Sequence, residues 1–216
     1  MRPVVVTVGP LSAASANAIC LSQTPSAGAL LINGASASGG VATLDVPRRV
    51  LITTTGNESA KTFVITGTDL TGNVVSESVA GPNIGTAFSQ IDYKTVTSIT
   101  ISASAAAALT VGTNGVASSA WVRFDEWAPP SISIQCVASG TVNYTVQQTL
   151  NDPNSPTNPV GYASVTWFPS PDSNLVAATG NIQSNYAFMP TYARILLNSG
   201  TGSVTGTFIQ NGNVQS

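Results

Sequence analysis

Histidine is absent from this chain of 216 residues, and charge is scarce: seven basic and nine acidic side chains. These two shortages exclude much chemistry. Without an imidazole, no Ser-His-Asp or Cys-His arrangement can form, which closes the usual route to an activated nucleophile. Lys61 and Lys94 sit in strand-like runs, with no Ser-x-x-Lys spacing that would give a lysine the base's role. Asp125-Glu126 is the one adjacent acidic pair, and neighbours on a strand point to opposite faces, so they cannot share a general acid–base site. Asp152 and Asp172 fall in polar loops, where aspartate commonly caps its own backbone, and no EF-hand spacing points to calcium. The segment Gly67-Thr68-Asp69-Leu70-Thr71-Gly72 lacks the Gly-Lys-Ser/Thr of a phosphate loop. The sequence therefore predicts no catalytic residue, no metal ligand set and no cofactor.

Other absences bound the partners. The net charge is −2 with no basic stripe, which argues against direct nucleic-acid binding. The longest run of small apolar residues, Ala105 to Val111, is far short of the ~20 residues a membrane helix needs. Met1-Arg2-Pro3 leads straight into Val4-Val5-Val6-Thr7-Val8 and then Gly9-Pro10, too short an apolar run for a signal-peptide core, so synthesis in a cytoplasm is expected. Cysteine occurs only twice, at Cys20 and Cys136, each in an apolar strand-like run. Two buried free thiols are expected in preference to a disulfide, because nothing else suggests a stapled scaffold.

Thr, Ser, Gly, Asn and Val fill the space the charges leave, and 43% of the residues are apolar, enough to build a core. A soluble surface is ordinarily roughly a quarter charged. Here hydroxyls and amides must cover it. Such groups can re-form hydrogen bonds across an interface, whereas ions resist burial. A surface largely covered in an assembly is the favoured expectation; a neutral-surfaced secreted monomer is the alternative.

Period-2 runs rich in Val, Ile and Thr recur between turn residues, the pattern of an all-β chain. Strands are predicted at 3–9, 18–23, 29–33, 49–54, 61–69, 74–79, 96–102, 109–112, 121–125, 131–137, 141–149, 164–168, 175–178, 194–198 and 203–210. Alternation puts Phe63 and Ile65 on one face and Thr62, Val64 and Thr66 on the other. Segments 131–137 and 141–149 read as a hairpin turned at Ser139-Gly140. The expected fold is two tandem antiparallel β-sandwich or jelly-roll-like domains, 1–117 with an N-terminal arm and 118–216. An internal echo fits this division: Arg49-Val50-Leu51-Ile52-Thr53 precedes Thr62-Phe63-Val64 at the spacing by which Arg194-Ile195-Leu196-Leu197-Asn198 precedes Thr207-Phe208-Ile209.

Candidate contact residues come from two places. Most aromatics lie in the second half, where Trp127 beside Pro129-Pro130, and Trp167-Phe168 beside Pro169, are the best candidates for exposed rings; core packing is the alternative for each. Val4, Val5 and Val6 form a short apolar strand that either pairs within its own domain or adds to a neighbour's sheet edge. Loops 34–40 and 151–159 are further candidate contacts.

The runs Pro47-Arg48-Arg49-Val50-Leu51-Ile52-Thr53-Thr54-Thr55-Gly56-Asn57-Glu58-Ser59, Phe63-Val64-Ile65-Thr66-Gly67-Thr68-Asp69, Val96-Thr97-Ser98-Ile99-Thr100, Val111-Gly112-Thr113-Asn114-Gly115 and Asn143-Tyr144-Thr145-Val146-Gln147, with Asp152-Pro153 after it, resemble those of a group of tailed-bacteriophage virion proteins. The likeness spans most of the chain, and its motifs are turns and strands that carry no chemistry. It implies a non-enzymatic particle component made in the bacterial cytoplasm. The first expectation is a capsid decoration (cement) protein on the outer capsid surface, with the major capsid protein and copies of itself as partners. The alternative is a tail- or collar-associated, receptor-binding protein that holds glycan on its aromatic rings.

Overall fold

The computed structural model describes residues 3–128 and 130–211. The chain is all-β, 56% strand against 3% helix, with large antiparallel sheets, as the alternating pattern predicts. Contacts gather it into two compact units. One is Ser12–Gly115; the other joins Val116 onward to the residues up to Leu11. The sequence partition at 117/118 had assigned the first strand to the other half.

In chain order, β1 is Val4–Val8. There follow β2 (Cys20–Gln23), β3 (Gly28–Ala29), β4 (Ala37–Ser38), β5 (Val41–Asn57), β6 (Thr62–Thr68), β7 (Val74–Ala80), β8 (Asn83–Ile101) and β9 (Leu109–Ser118). The rest are β10 (Val122–Arg123), β11 (Ile132–Ser139), β12 (Val142–Thr149), β13 (Phe168–Pro169), β14 (Ile182–Tyr186), β15 (Tyr192–Gly200) and β16 (Ser203–Gln210).

Within Ser12–Gly115 the sheet order is β9-β5-β8-β6-β7, with β2 on β9, β3 on β8 and β4 on β5. Phe63 and Ile65 of β6 are fully buried while Thr62 and Val64 face out, as alternation requires. The two longest strands, β5 and β8, are longer than the sequence signals suggest because they bend. Pro47 cannot donate to a ladder, and the β5–β8 register shifts between Thr43 and Arg48. The shift breaks alternation, so Arg48 turns inward and is only 2% exposed. Its guanidinium donates to the carbonyls of Ser12 and Asn114 and to the Asp45 carboxylate. At Gly67, where β6 shifts register against β8, a Cβ would lie 1.9 Å from the Thr95 carbonyl oxygen, so only glycine fits there.

The other unit packs two sheets face to face. One has the order β1-β16-β11-β14. The other is built on β13-β12-β15, with β10 also on β15. Ile132, Ile134, Cys136, Val204 and Phe208 of the first, and Tyr144, Val146, Ile195 and Leu197 of the second, are buried. Gly206 of β16 leaves room for Ile195 of β15, whose Cδ1 would lie 2.5 Å from a Cβ there. Phe124 meets Phe208 and Tyr186 edge-on, each at 6.2 Å between centroids.

Several sequence expectations are corrected. β11 and β12 are no hairpin: β11 pairs with β14 and β16, β12 with β13 and β15, and the turn at Gly140 carries the chain from one sheet to the other. Both strands have an apolar face to bury, and two facing sheets bury both. The strands expected at 164–168 and 175–178 are mostly absent: each span begins at the end of a 3-10 turn, 162–164 and 173–175, and of the first only Phe168 lies in a strand. Asn114-Gly115, whose residue types favour a tight turn, lies inside β9 and makes none. The internal echo stops at the strands themselves. β5 and β6 share a sheet, separated by β8, whereas β15 and β16 lie in different sheets. Phe63 and Phe208 are nonetheless both fully buried. The two cysteines are free and buried, and burial pushes the Cys20 thiol up to about 12 and that of Cys136 to about 11.

Candidate binding site

The candidate contact residues fare differently. Val4, Val5 and Val6 form no free arm: β1 is an edge strand in full antiparallel register with β16, from Val4 opposite Phe208 to Val8 opposite Val204. Val6 points into the core and Val5 faces out, 58% exposed. In loop 34–40, Ala37–Ser38 folds back as β4 on β5. Trp127 is 92% exposed. It stands on a turn closed by Asp125, whose carboxylate accepts the Trp127 N–H at 3.0 Å and whose carbonyl accepts that of Ala128.

Trp167 is half-buried and packs in a cluster around Trp121. The Trp121 ring lies 4.9 Å from that of Trp167, 5.7 Å from Tyr192 and 5.8 Å from Tyr162. The Arg194 guanidinium sits 4.3 Å from the Trp167 ring centre, held by its Nε donating to Gln147 Oε1 at 2.9 Å. That contact occupies a face of Trp167 that a sugar would need. Trp167 is therefore a strut of the loop that follows β12.

The same loop is tied down by Asp152. Its carboxylate accepts from Arg123 Nη2 at 3.0 Å, from the Tyr192 hydroxyl at 3.3 Å and from the Asn154 N–H at 2.8 Å. Asn154 in turn donates to the Tyr192 oxygen and accepts from the Tyr162 hydroxyl. Burial pushes the Tyr192 hydroxyl above its ordinary 10; Asn154 and Arg123 work against that rise and the Asp152 charge adds to it. Loop 151–159 is thus fixed at its base.

This rigid base frames a cleft of about 480 Å³. Its lining combines the apolar Leu150, Phe168, Phe188 and Pro190 with the polar Gln148, Thr149, Asn151 and Thr166. Among the described residues, none that lines it is charged. Phe168, placed opposite Gln148 in the β12–β13 pairing, is 59% exposed, and Phe188 is 43% exposed. Asn151 Oδ1 accepts the Thr166 N–H at 2.8 Å, which orients the Asn151 amide. Phe168 was legible in the sequence as an aromatic beside a proline. Leu150, Asn151, Phe188 and Pro190 were not singled out, because no sequence spacing links three segments that only β12, β13 and β15 bring together.

Charges elsewhere are mostly engaged within the chain, even where, as at Asp45, Arg123 and Asp125, the residue itself is exposed. Among the described residues, every basic side chain has a partner within the chain. Arg49 faces Asp92 at 3.8 Å, and Lys61 pairs with Glu58. Lys94 donates to the carbonyls of Leu44 and Asp45, Arg123 meets Asp152, and Arg48 and Arg194 are held as above. Every acid except Glu126 is similarly engaged, as where Glu77 accepts the N–H groups of Gln90 and Ile91, and Asp69 those of Thr71 and Asn73. Asp172 accepts from Ser184 and Asn174, which holds its carboxyl below the usual 3.8. Among the described residues no group of three or more Cys, Asp or Glu side chains could hold a metal ion. No helix there is long and apolar enough to cross a membrane.

Compared with known proteins, the chain matches no family model, no curated protein and no solved structure.

Proposed function

We propose that this chain is a non-enzymatic structural protein of a tailed-phage particle, a decoration protein that binds the outer capsid surface and bridges major capsid subunits. The single observation that carries the reading is the fate of its charges. Most are tied up in pairs and hydrogen bonds within the chain, and the outward faces are left mainly to Thr, Ser, Asn and exposed apolar side chains such as Leu31, Val74 and Ile84. Such faces lose little on desolvation and suit repeated lattice contacts, where many modest interfaces add. Its partners on this reading are the major capsid protein and further copies of the chain. It is synthesised in the bacterial cytoplasm and acts on the virion surface.

Copy number in purified particles tests this. Hundreds of copies per particle, located on the shell by electron cryomicroscopy, would support decoration, and roughly a dozen at the tail or collar would refute it. Deleting residues 3–8 is a poor test, because it strips a strand from the β1-β16-β11-β14 sheet.

The neutral cleft favours a second reading, a tail- or collar-associated protein that binds glycan at a receptor surface.

A further inference from the structure

We propose that the cleft bounded by Phe168, Phe188, Leu150, Asn151, Thr166 and Gln148 is a binding site for a neutral saccharide. The inference does not depend on the particle assignment: such a site is what the tail reading calls for, and a decoration protein can carry it as well.

Four observations carry it. The first is size: about 480 Å³ falls within the ~300–1,000 Å³ range of small-molecule sites and accommodates a short oligosaccharide. The second is the pairing of surfaces. Two exposed phenyl rings line the cleft together with the amides of Gln148 and Asn151 and the hydroxyl of Thr166. A sugar ring has the matching character, with C–H groups that pack on aromatic faces and a rim of hydroxyls that both donate and accept.

The third observation is unused hydrogen-bonding capacity. Asn151 uses Oδ1 on the Thr166 N–H, which leaves its two Nδ2 donors for a ligand. The Thr166 hydroxyl likewise has no hydrogen-bond partner among the described residues. Gln148 is 7% exposed and its Oε1 is buried with no donor from the protein. Gln148 is part of the lining, so that oxygen is an acceptor without a donor at the cleft's edge. A purely apolar ligand would leave these groups unpaired at a cost, which argues against a lipid chain. The fourth observation is charge. With no ionic group in the lining, a sialylated or sulfated sugar finds no counter-ion there, so the ligand class is neutral.

The site is also held ready. Asp152, Tyr192, Asn154 and Tyr162 fix the loop that carries Asn151, and the Trp121 cluster fixes the segment that carries Thr166 and Phe168. Little ordering is left for the ligand to pay for.

The test uses the full chain with maltohexaose, cellohexaose, mannohexaose and a neutral galactan oligomer, and a sialylated and a sulfated oligosaccharide for comparison. Binding is read by titration calorimetry and by saturation-transfer NMR. The expected result is binding of at least one neutral oligomer, weakened about tenfold or more by Phe168→Ala and by Asn151→Ala, with Trp127→Ala unchanged. Phe168 and Thr166 are exposed, so Phe168→Ala and a second variant, Thr166→Ala, should leave the thermal transition in place and isolate the binding effect. Three results would overturn the proposal: no neutral oligomer bound by the folded chain, binding confined to the charged sugars, or binding indifferent to all three cleft substitutions. Occupation of the cleft by a protein segment in a particle reconstruction would also count against it. Copy number and location, which test the particle assignment, are independent of every one of these outcomes.

Discussion

Glu58 illustrates how single residues are used in this chain. It is fully buried, its carboxylate accepts the N–H groups of Ala106 and Ala107, and Lys61 closes over it. The small side chains of the alanine-rich segment let that loop come close enough to be held. Burial alone would raise the Glu58 carboxyl; Lys61 and the two N–H groups outweigh it and hold it below its usual 4.5. A carboxyl depressed in the folded state contributes stability above its unfolded value, and that contribution is lost as pH falls through the folded value. Stability is therefore expected to be level at neutral pH and to decline below 4.5, with Asp45, also lowered, adding to the decline below 3.8. Glu58→Ala should cost about 3 kcal/mol at pH 7, because it leaves Lys61 partly buried without its partner. Urea denaturation of both forms at pH 7 and pH 3.5 checks this. The difference between them should shrink at the lower pH, and an unchanged difference would show that the charge of Glu58 is not what matters.

At the scale of the element, β1 gives a sharp test of register. Val5 and Val6 are neighbours in sequence, yet one faces out and the other packs inside. Val6→Lys should destabilise the fold by about 3 kcal/mol or more, and Val5→Lys by less than about 0.5 kcal/mol. Equal losses in guanidinium melts would mean the strand does not sit as described. Such alternation made β6, β7 and β16 readable from the residues alone, since each is an uninterrupted period-2 run between turn residues. Where alternation fails, sequence reasoning failed with it. Pro47 split β5, and the positive φ angles at Ile84 and Gly85 hid the first half of β8. β14, the polar edge run Ile-Gln-Ser-Asn-Tyr, carries too little apolar signal to be seen. Sheet partnership was less legible still: β11 and β12 look like a hairpin because a tight turn joins them, and nothing local says that they belong to opposite sheets. The candidate site shared that difficulty. Its rings were visible as residue types, but which of them is a strut, like Trp167, and which a contact surface, like Phe168, depends on where Arg194 and Trp121 fall.

For the whole molecule, the engagement of charge within the chain has a measurable signature. Steering and attraction between exposed ions are weakened by salt, whereas contacts between hydroxyl, amide and apolar groups are not. On the decoration reading, raising ionic strength from about 0.05 M to 0.5 M should change the chain's affinity for particles lacking it by less than about threefold. Sedimentation binding with such particles measures this, and a steep fall with salt would point to an ionic interface that the faces described here do not provide.

The pairing of β1 with β16 joins residues nearly the whole chain apart, as in the Thr7–Thr205 hydroxyl contact. During synthesis β1 emerges before β16 and must stay without that partner until β16 has left the ribosome. The span Ser12–Gly115 needs no such wait and can form its pairings while translation continues. The β1-β16-β11-β14 sheet therefore closes after the Ser12–Gly115 pairings can form, and it does so by a search over a long loop, which is entropically costly and slow.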